Sequence, residues 1–305
     1  YCMAGERTYS ALANAGPCAK RLARDLLTIS RSRGTRAGRN QGETIMSKMI
    51  WKLDRGPGPI VATAIHDGHE VRDEVARHMV LDEAVRLREE DPFTGGWTSV
   101  APTRVVATRS RFEVDLNRPR DKAVYRTPDD AWGLEVWDGA LPDDVVERTL
   151  EGYDIFYAEL GHLYRELADK HGRFLVLDLH SYNHRREGPE GPVADPAANP
   201  QVNIGTGTMK DRGRWAPLID RFINDLTSFD FPGGRLDVRE NVRFRGGACA
   251  AWAHRAFPDA ACVLSIEVKK FFMDEWTGVV DERLLEGVRL ALNTALPGAL
   301  DELGR

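Results

Sequence analysis

From residue 49 onward, apolar and polar positions alternate between two periods. "IVATAI" (60–65) is a short β-branched run behind the turn-rich lead-in "DRGPGP", and it predicts a buried strand. Residues 70–90 are charged and helix-favouring, with Val71, Val75 and Met79 on one face, and predict a helix. "RVVATR" (104–109) predicts the next strand. The clearest helix covers about 143–171, where Leu150, Tyr153, Phe156, Leu160, Leu163 and Leu167 follow a period of three to four. Asp143 or Asp144 can cap its start, and Gly172 follows its end. "FLVLDL" (174–179) follows as a strand. A helix then carries Trp215, Leu218, Phe222 and Leu226. "ACVLSIEV" (261–268) is a second near-continuous apolar run, and a last helix covers about 281–296. Near-continuous apolar strands alternating with amphipathic helices imply a three-layer α/β/α fold around a mostly parallel, mixed sheet. In such sheets ligands gather at the carboxyl ends of the strands.

The first 45 residues break this pattern. They are rich in Arg, Ala, Gly and Ser and lack the apolar core and small-residue cleavage site of a secretory signal. Residues 1–48 read as a disordered or non-native extension, dispensable for activity, and residues 49–305 as one domain. Composition adds exclusions. The chain of 305 residues is 42% hydrophobic and 29% charged with a net charge of −5, so it offers no electrostatic case for nucleic acid or an acidic membrane. No apolar run approaches the ~20 residues of a membrane span. The four cysteines, Cys2, Cys18, Cys249 and Cys262, include no C-x-x-C pair, which argues against a zinc ribbon and fits a reducing cytoplasm. "NIGTGTMK" lacks the G-K-[ST] of a phosphate loop.

Two predicted strands end in titratable groups. "FLVLDL" runs into "HSYNHRR", and "IVATAI" into "HDGHEVR". His66, His69 and His180 would supply the three protein ligands typical of catalytic zinc, with Asp67 and Asp178 as carboxylates to orient the imidazoles. Asn117 and Arg118 follow a short extended run; an arginine can grip a carboxylate through two parallel hydrogen bonds, so a carboxylated substrate is expected. Glu267 lies on an apolar strand, where a carboxylate is costly unless it is paired or functional. Strand alternation puts Val263, Ser265 and Glu267 on one side and Leu264, Ile266 and Val268 on the other. Beside a water activated by a metal, Glu267 would be a general base.

Five segments in this order, "IHDGH", "VDLNRP", "LDLHSY", "NVRFRGG" and "LSIEVKK", together with "NIGT" (203–206), resemble the N-formylglutamate amidohydrolase family of the zinc carboxypeptidase-like superfamily. The resemblance covers roughly residues 58–275. It implies a phosphorylase/hydrolase-like fold and one zinc ion held by His66 and His180. The third ligand is His69, where carboxypeptidases place a glutamate, or the adjacent Glu70. The resemblance further implies substrate contacts at Asn117 and Arg118 and a base at Glu267. The implied substrate is a small carboxylated N-acyl amino acid such as N-formylglutamate. Arg185, Arg186 and Arg243 are candidates for its second carboxylate, and Tyr182 for the pocket wall. Two alternatives stay open: a carboxypeptidase-type metallopeptidase, and a non-catalytic binding protein on the same fold.

Overall fold

The structure, a computed structural model, describes residues 50–304. The expectations for residues 1–48 lie outside the described residues. Seven strands form one mixed sheet: β1 (Trp51–Asp54), β2 (Ile60–Ala64), β3 (Thr103–Ala107), β4 (Phe174–Tyr182), β5 (Val202–Gly205), β6 (Val238–Glu240) and β7 (Ala261–Lys269). Their spatial order is β1-β3-β2-β4-β7-β5-β6. The central four, β3, β2, β4 and β7, are parallel to one another. At one edge β1 runs antiparallel to β3, and on the other side β5 runs antiparallel to β7 and parallel to β6.

The helices are α1 (Asp73–Ala76), α2 (Glu83–Glu89), α3 (Thr94–Trp97), α4 (Asp143–His171), α5 (Ala216–Ser228), α6 (Ala248–Ala256) and α7 (Glu282–Leu303). Alternation along β4 decides which helices cover which face. Phe174 and Val176 join a core with Leu150, Phe156 and Leu160 of α4 and Ala253 of α6. Leu175, Leu177 and Leu179 join a second core with Phe222 and Leu226 of α5 and Leu292 and Ala299 of α7. Each fully buried Leu, Val or Phe side chain among these contributes roughly 1.5–3 kcal/mol. A sheet with an apolar core on each face explains why β4 and β7 read as unbroken apolar runs.

Two predicted boundaries differ from the observed ones. Residues 70–90 form two short helices instead of one. Between them the Val80 amide donates to the Val136 carbonyl, and Asp82 starts α2 afresh by accepting from the Val85 amide. These backbone and cap bonds offset the continuous helix that propensity alone favours. Helix α7 runs on past Pro297, which sequence reasoning treats as a stop. Leu296, Ala299 and Leu303 are buried around it, so packing outweighs a proline cost of about 3 kcal/mol. Strands β1, β5 and β6, at three or four residues each, were too short to stand out in the pattern.

Candidate active site

The carboxyl ends of the four parallel strands converge. His66 stands two residues beyond β2, His180 and Glu267 are register neighbours near the ends of β4 and β7, and the loop after β3 carries Asp115, Asn117 and Arg118. His66 and His180 meet at a ring-centroid separation of 5.0 Å. Between them lies Asp91, from the loop joining α2 to α3. Its Oδ2 is 2.9 Å from His180 Nδ1 and 3.3 Å from His66 Nδ1. All three residues are buried, and one donor atom from each lies within 4.8 Å of the others.

The far nitrogen of each imidazole faces another carboxylate. His66 Nε2 is 2.7 Å from Asp115 Oδ1, and His180 Nε2 is 3.3 Å from Asp178 Oδ2. Thr63 donates to Asp178 Oδ1 at 2.8 Å from β2, and Ser265 to Oδ2 at 3.3 Å from β7. Asp178 is thus held from both neighbouring strands, as the register Thr63↔Asp178↔Ser265 requires. Asp115 accepts from Arg111 and Tyr125. Such outer carboxylates fix ring orientation and raise the basicity of the nitrogen that faces inward.

The charges are strongly coupled. Burial alone would raise Asp91, but His180 and His66 hold its carboxyl below the usual range. Burial likewise opposes ionisation of Asp115, and Arg111 and His66 more than offset it. Against burial, Asp178 and Asp91 hold the His180 imidazole well above its ordinary value. Burial, opposed by His180 and reinforced by Asp91, pushes the Glu267 carboxyl up to about 7.

Some of the residues singled out in the sequence meet here and others do not. Glu267 sits beside His180 with Ser265 on the same side, as strand alternation requires. Arg118 is near, with its Nε 3.7 Å from Asp115 Oδ2 and 40% of its side chain exposed. Asn117 accepts the Cys249 amide at 3.1 Å and thereby caps the start of α6. Gly247 must be glycine there, because a Cβ would come within 2.2 Å of Asn117 Oδ1. Arg243 is exposed and lies 5.7 Å over the ring of Tyr182, whose hydroxyl donates to the Pro200 carbonyl. Arg185 is turned towards Asp274 at 3.3 Å, in the segment after β7, and the half-exposed Arg186 towards Glu89 at 3.5 Å, at the end of α2.

His69 and Glu70 lie outside the His66–Asp91–His180 group, in which Asp91 is the third candidate donor. The reason is backbone pairing: the Glu70 amide donates to the Thr108 carbonyl and the Ser110 amide to the Glu70 carbonyl, turning this segment along the loop after β3. Gly68 makes that approach possible, since a Cβ would lie 2.4 Å from the Arg109 carbonyl oxygen. His69 Nδ1 consequently meets Glu90, and Glu70 is exposed beside Arg109 at 3.5 Å. Asp67 orients no imidazole. It accepts the Gly95 amide at 2.8 Å and anchors α3. Asp91 carried no local signal, being one of three consecutive acidic residues in "EEDPF". Asn203 was missed within "NIGT": its side chain holds the Arg243 amide at 2.8 Å and the Phe244 carbonyl at 2.8 Å, fixing the loop that carries Arg243.

Two imidazole nitrogens and a carboxylate oxygen converging in a buried site, each ring with a second carboxylate at its far nitrogen, form a donor set that suits a divalent cation of the zinc type. No curated protein matches the chain. Among solved structures it is similar to N-formylglutamate amidohydrolase from Ralstonia eutropha JMP134, with a TM-score of 0.63 and 18% identity over 81% of this chain and 96% of that one. It is also similar to a gene product from Agrobacterium tumefaciens, with a TM-score of 0.58 and 16% identity over 85% of this chain and 98% of that one. At these identities the likeness speaks for the fold. The family model of N-formylglutamate amidohydrolase matches residues 58–272, a span that holds His66, Asp91, Arg118, His180 and Glu267, and the chain belongs to that family.

Proposed function

We propose that the protein is a metal-dependent amidohydrolase that cleaves the amide bond of a small carboxylated N-acyl amino acid such as N-formylglutamate. The observation that carries this reading is the placement of Glu267 next to His180 at the edge of the His66–Asp91–His180 group. Family membership supports hydrolysis of a carbon–nitrogen bond. His66, Asp91 and His180 would hold one zinc ion. When bound, such an ion polarises a carbonyl and acidifies water.

The remaining work falls to side chains. Glu267, with its carboxyl near neutrality, is poised to take a proton from the attacking water and return it to the leaving nitrogen. Arg118 grips a substrate carboxylate with its planar fork. Arg243, exposed above Tyr182, is the candidate for a second carboxylate, as a dicarboxylate needs. Two buried free thiols, Cys249 and Cys262, fit a cytoplasmic location, and among the described residues no helix is long and apolar enough to cross a membrane.

The test is metal analysis of the purified protein combined with amine release from a panel of N-acyl amino acids and dipeptides. The expected result is about one zinc per chain and turnover of N-formylglutamate, with Glu267→Gln retaining metal while turning over at least ~100-fold more slowly. Failure to take up metal, or full activity in Glu267→Gln, would overturn the mechanism. Preference for dipeptides would move the protein to the peptidases.

A further inference from the structure

Lys270 is a fully buried charged side chain that the proposed chemistry leaves unused. It follows β7 directly, three residues after Glu267, and its residue surface is 1% exposed. Its Nζ donates to the carbonyl of Arg88 at 2.6 Å and to that of Glu90 at 2.7 Å. Those carbonyls belong to the last turn and C-cap of α2, and the next residue is Asp91. A helix C-terminus leaves its final carbonyls without internal partners and carries partial negative charge, so an ammonium there satisfies both needs. Here the ammonium comes from a different element of the fold. It ties the end of the strand bearing Glu267 to the loop bearing Asp91.

A second contact repeats the link. The Arg88 guanidinium lies 3.9 Å over the ring of Trp276, in the same segment that follows β7. The Lys270 amide donates to the Tyr182 carbonyl at 3.0 Å, so the residue is also locked to β4 just past His180. Burying an ammonium is costly, and burial pulls Lys270 down to about 8. A methionine would fill the same core at lower cost but would leave the carbonyls of Arg88 and Glu90, the second of them buried, without this donor.

We propose that Lys270 is a positioning residue that clamps the C-terminus of α2 and so sets Asp91 between His66 and His180. The metal-related part of this proposal rests on the functional reading above. The experiment compares Lys270→Met and Lys270→Gln with wild type and with Leu292→Ala, a core truncation in α7 that lowers stability and lies outside residues 88–94. Cobalt and zinc affinities are measured by competition with a chelator, and amide hydrogen exchange is followed over residues 88–94 in metal-free protein. Lys270→Met should weaken metal binding by at least ~10-fold, the range typical of lost outer support, and speed exchange over 88–94. Lys270→Gln should fall between it and wild type. Leu292→Ala should melt lower with metal affinity unchanged. The proposal is overturned if Lys270→Met matches Leu292→Ala in both metal affinity and loop exchange, or if both Lys270 variants fail to fold while Leu292→Ala folds. A wild-type protein that takes up neither metal would sink the functional reading, and loop exchange would then decide the role of Lys270 by itself.

Discussion

Asp91 and His69 lie in one stretch of chain and have opposite surroundings. Asp91 is buried between two imidazoles, whereas His69 is drawn to Glu90 and has about a third of its side chain exposed. Asp91→Ala should therefore abolish tight zinc binding, while His69→Ala keeps it. Equal loss of metal in the two variants, measured by elemental analysis, would contradict the geometry. Arg118 allows a second discrimination. If its fork holds a carboxylate, Arg118→Lys should already be harmful for acidic N-acyl amino acids, because a lysine cannot reproduce the paired hydrogen bonds. The loss in kcat/KM should be large for them and small for analogues without the carboxylate. Equal losses on both would assign Arg118 to the reaction centre instead. His66, His180 and Glu267 could be singled out in the sequence because each stands at or just past a strand end, where a charged group interrupts an apolar run; Arg118 lies well into the loop after β3 and stands out only within "VDLNRP". Asp91 and Asp115 could not be, since their roles come from contacts across long sequence separations.

Helix α6 and strand β7 are joined by a buried histidine. His254 Nε2 accepts the Val263 amide at 3.2 Å, so the proton must sit on Nδ1, which donates to Thr208 Oγ1 at 2.9 Å. The neutral ring satisfies both partners, and burial lowers its pKa from 6.5 to about 4. A folded value below the unfolded one means that the stabilisation is complete above pH 6.5 and is lost as pH falls towards 4. The loss amounts to roughly 3 kcal/mol at ~1.4 kcal/mol per unit. Urea melts of wild type and His254→Gln should diverge above pH 6.5 and converge as pH falls to 4. A gap between the two that does not change with pH would show that His254 contributes no titration. Neither α6 nor this tie was legible in the sequence. The helix is nine residues long and follows "RFRGG", so neither length nor cap signals it, and its start is set by Asn117 from the far side of the chain.

At the scale of the molecule, the three layers and the parallel centre followed from the unbroken apolar runs of β4 and β7 and from the period of α4. Which strands reverse in this mixed sheet did not, because strand direction at an edge is decided by loop reach and not by pattern. That reversal has a consequence for the segment between Asn183 and Gln201. Since β5 runs against β7, this segment leaves β4 and enters β5 on the side of the sheet where the strand ends gather. Both of its ends are pinned. Glu275 accepts the amides of His184 and Arg185 at 2.8 and 2.9 Å, while Lys269 Nζ donates to the Asn199 carbonyl at 2.8 Å and its amide to Gln201 at 2.9 Å. Its middle, rich in proline and glycine, is largely exposed and adds nothing to either core. Lengthening a surface connection costs little, about 0.6 kcal/mol per doubling. The segment is therefore an interchangeable cassette: its composition and length can change while the strands on either side of it keep their register.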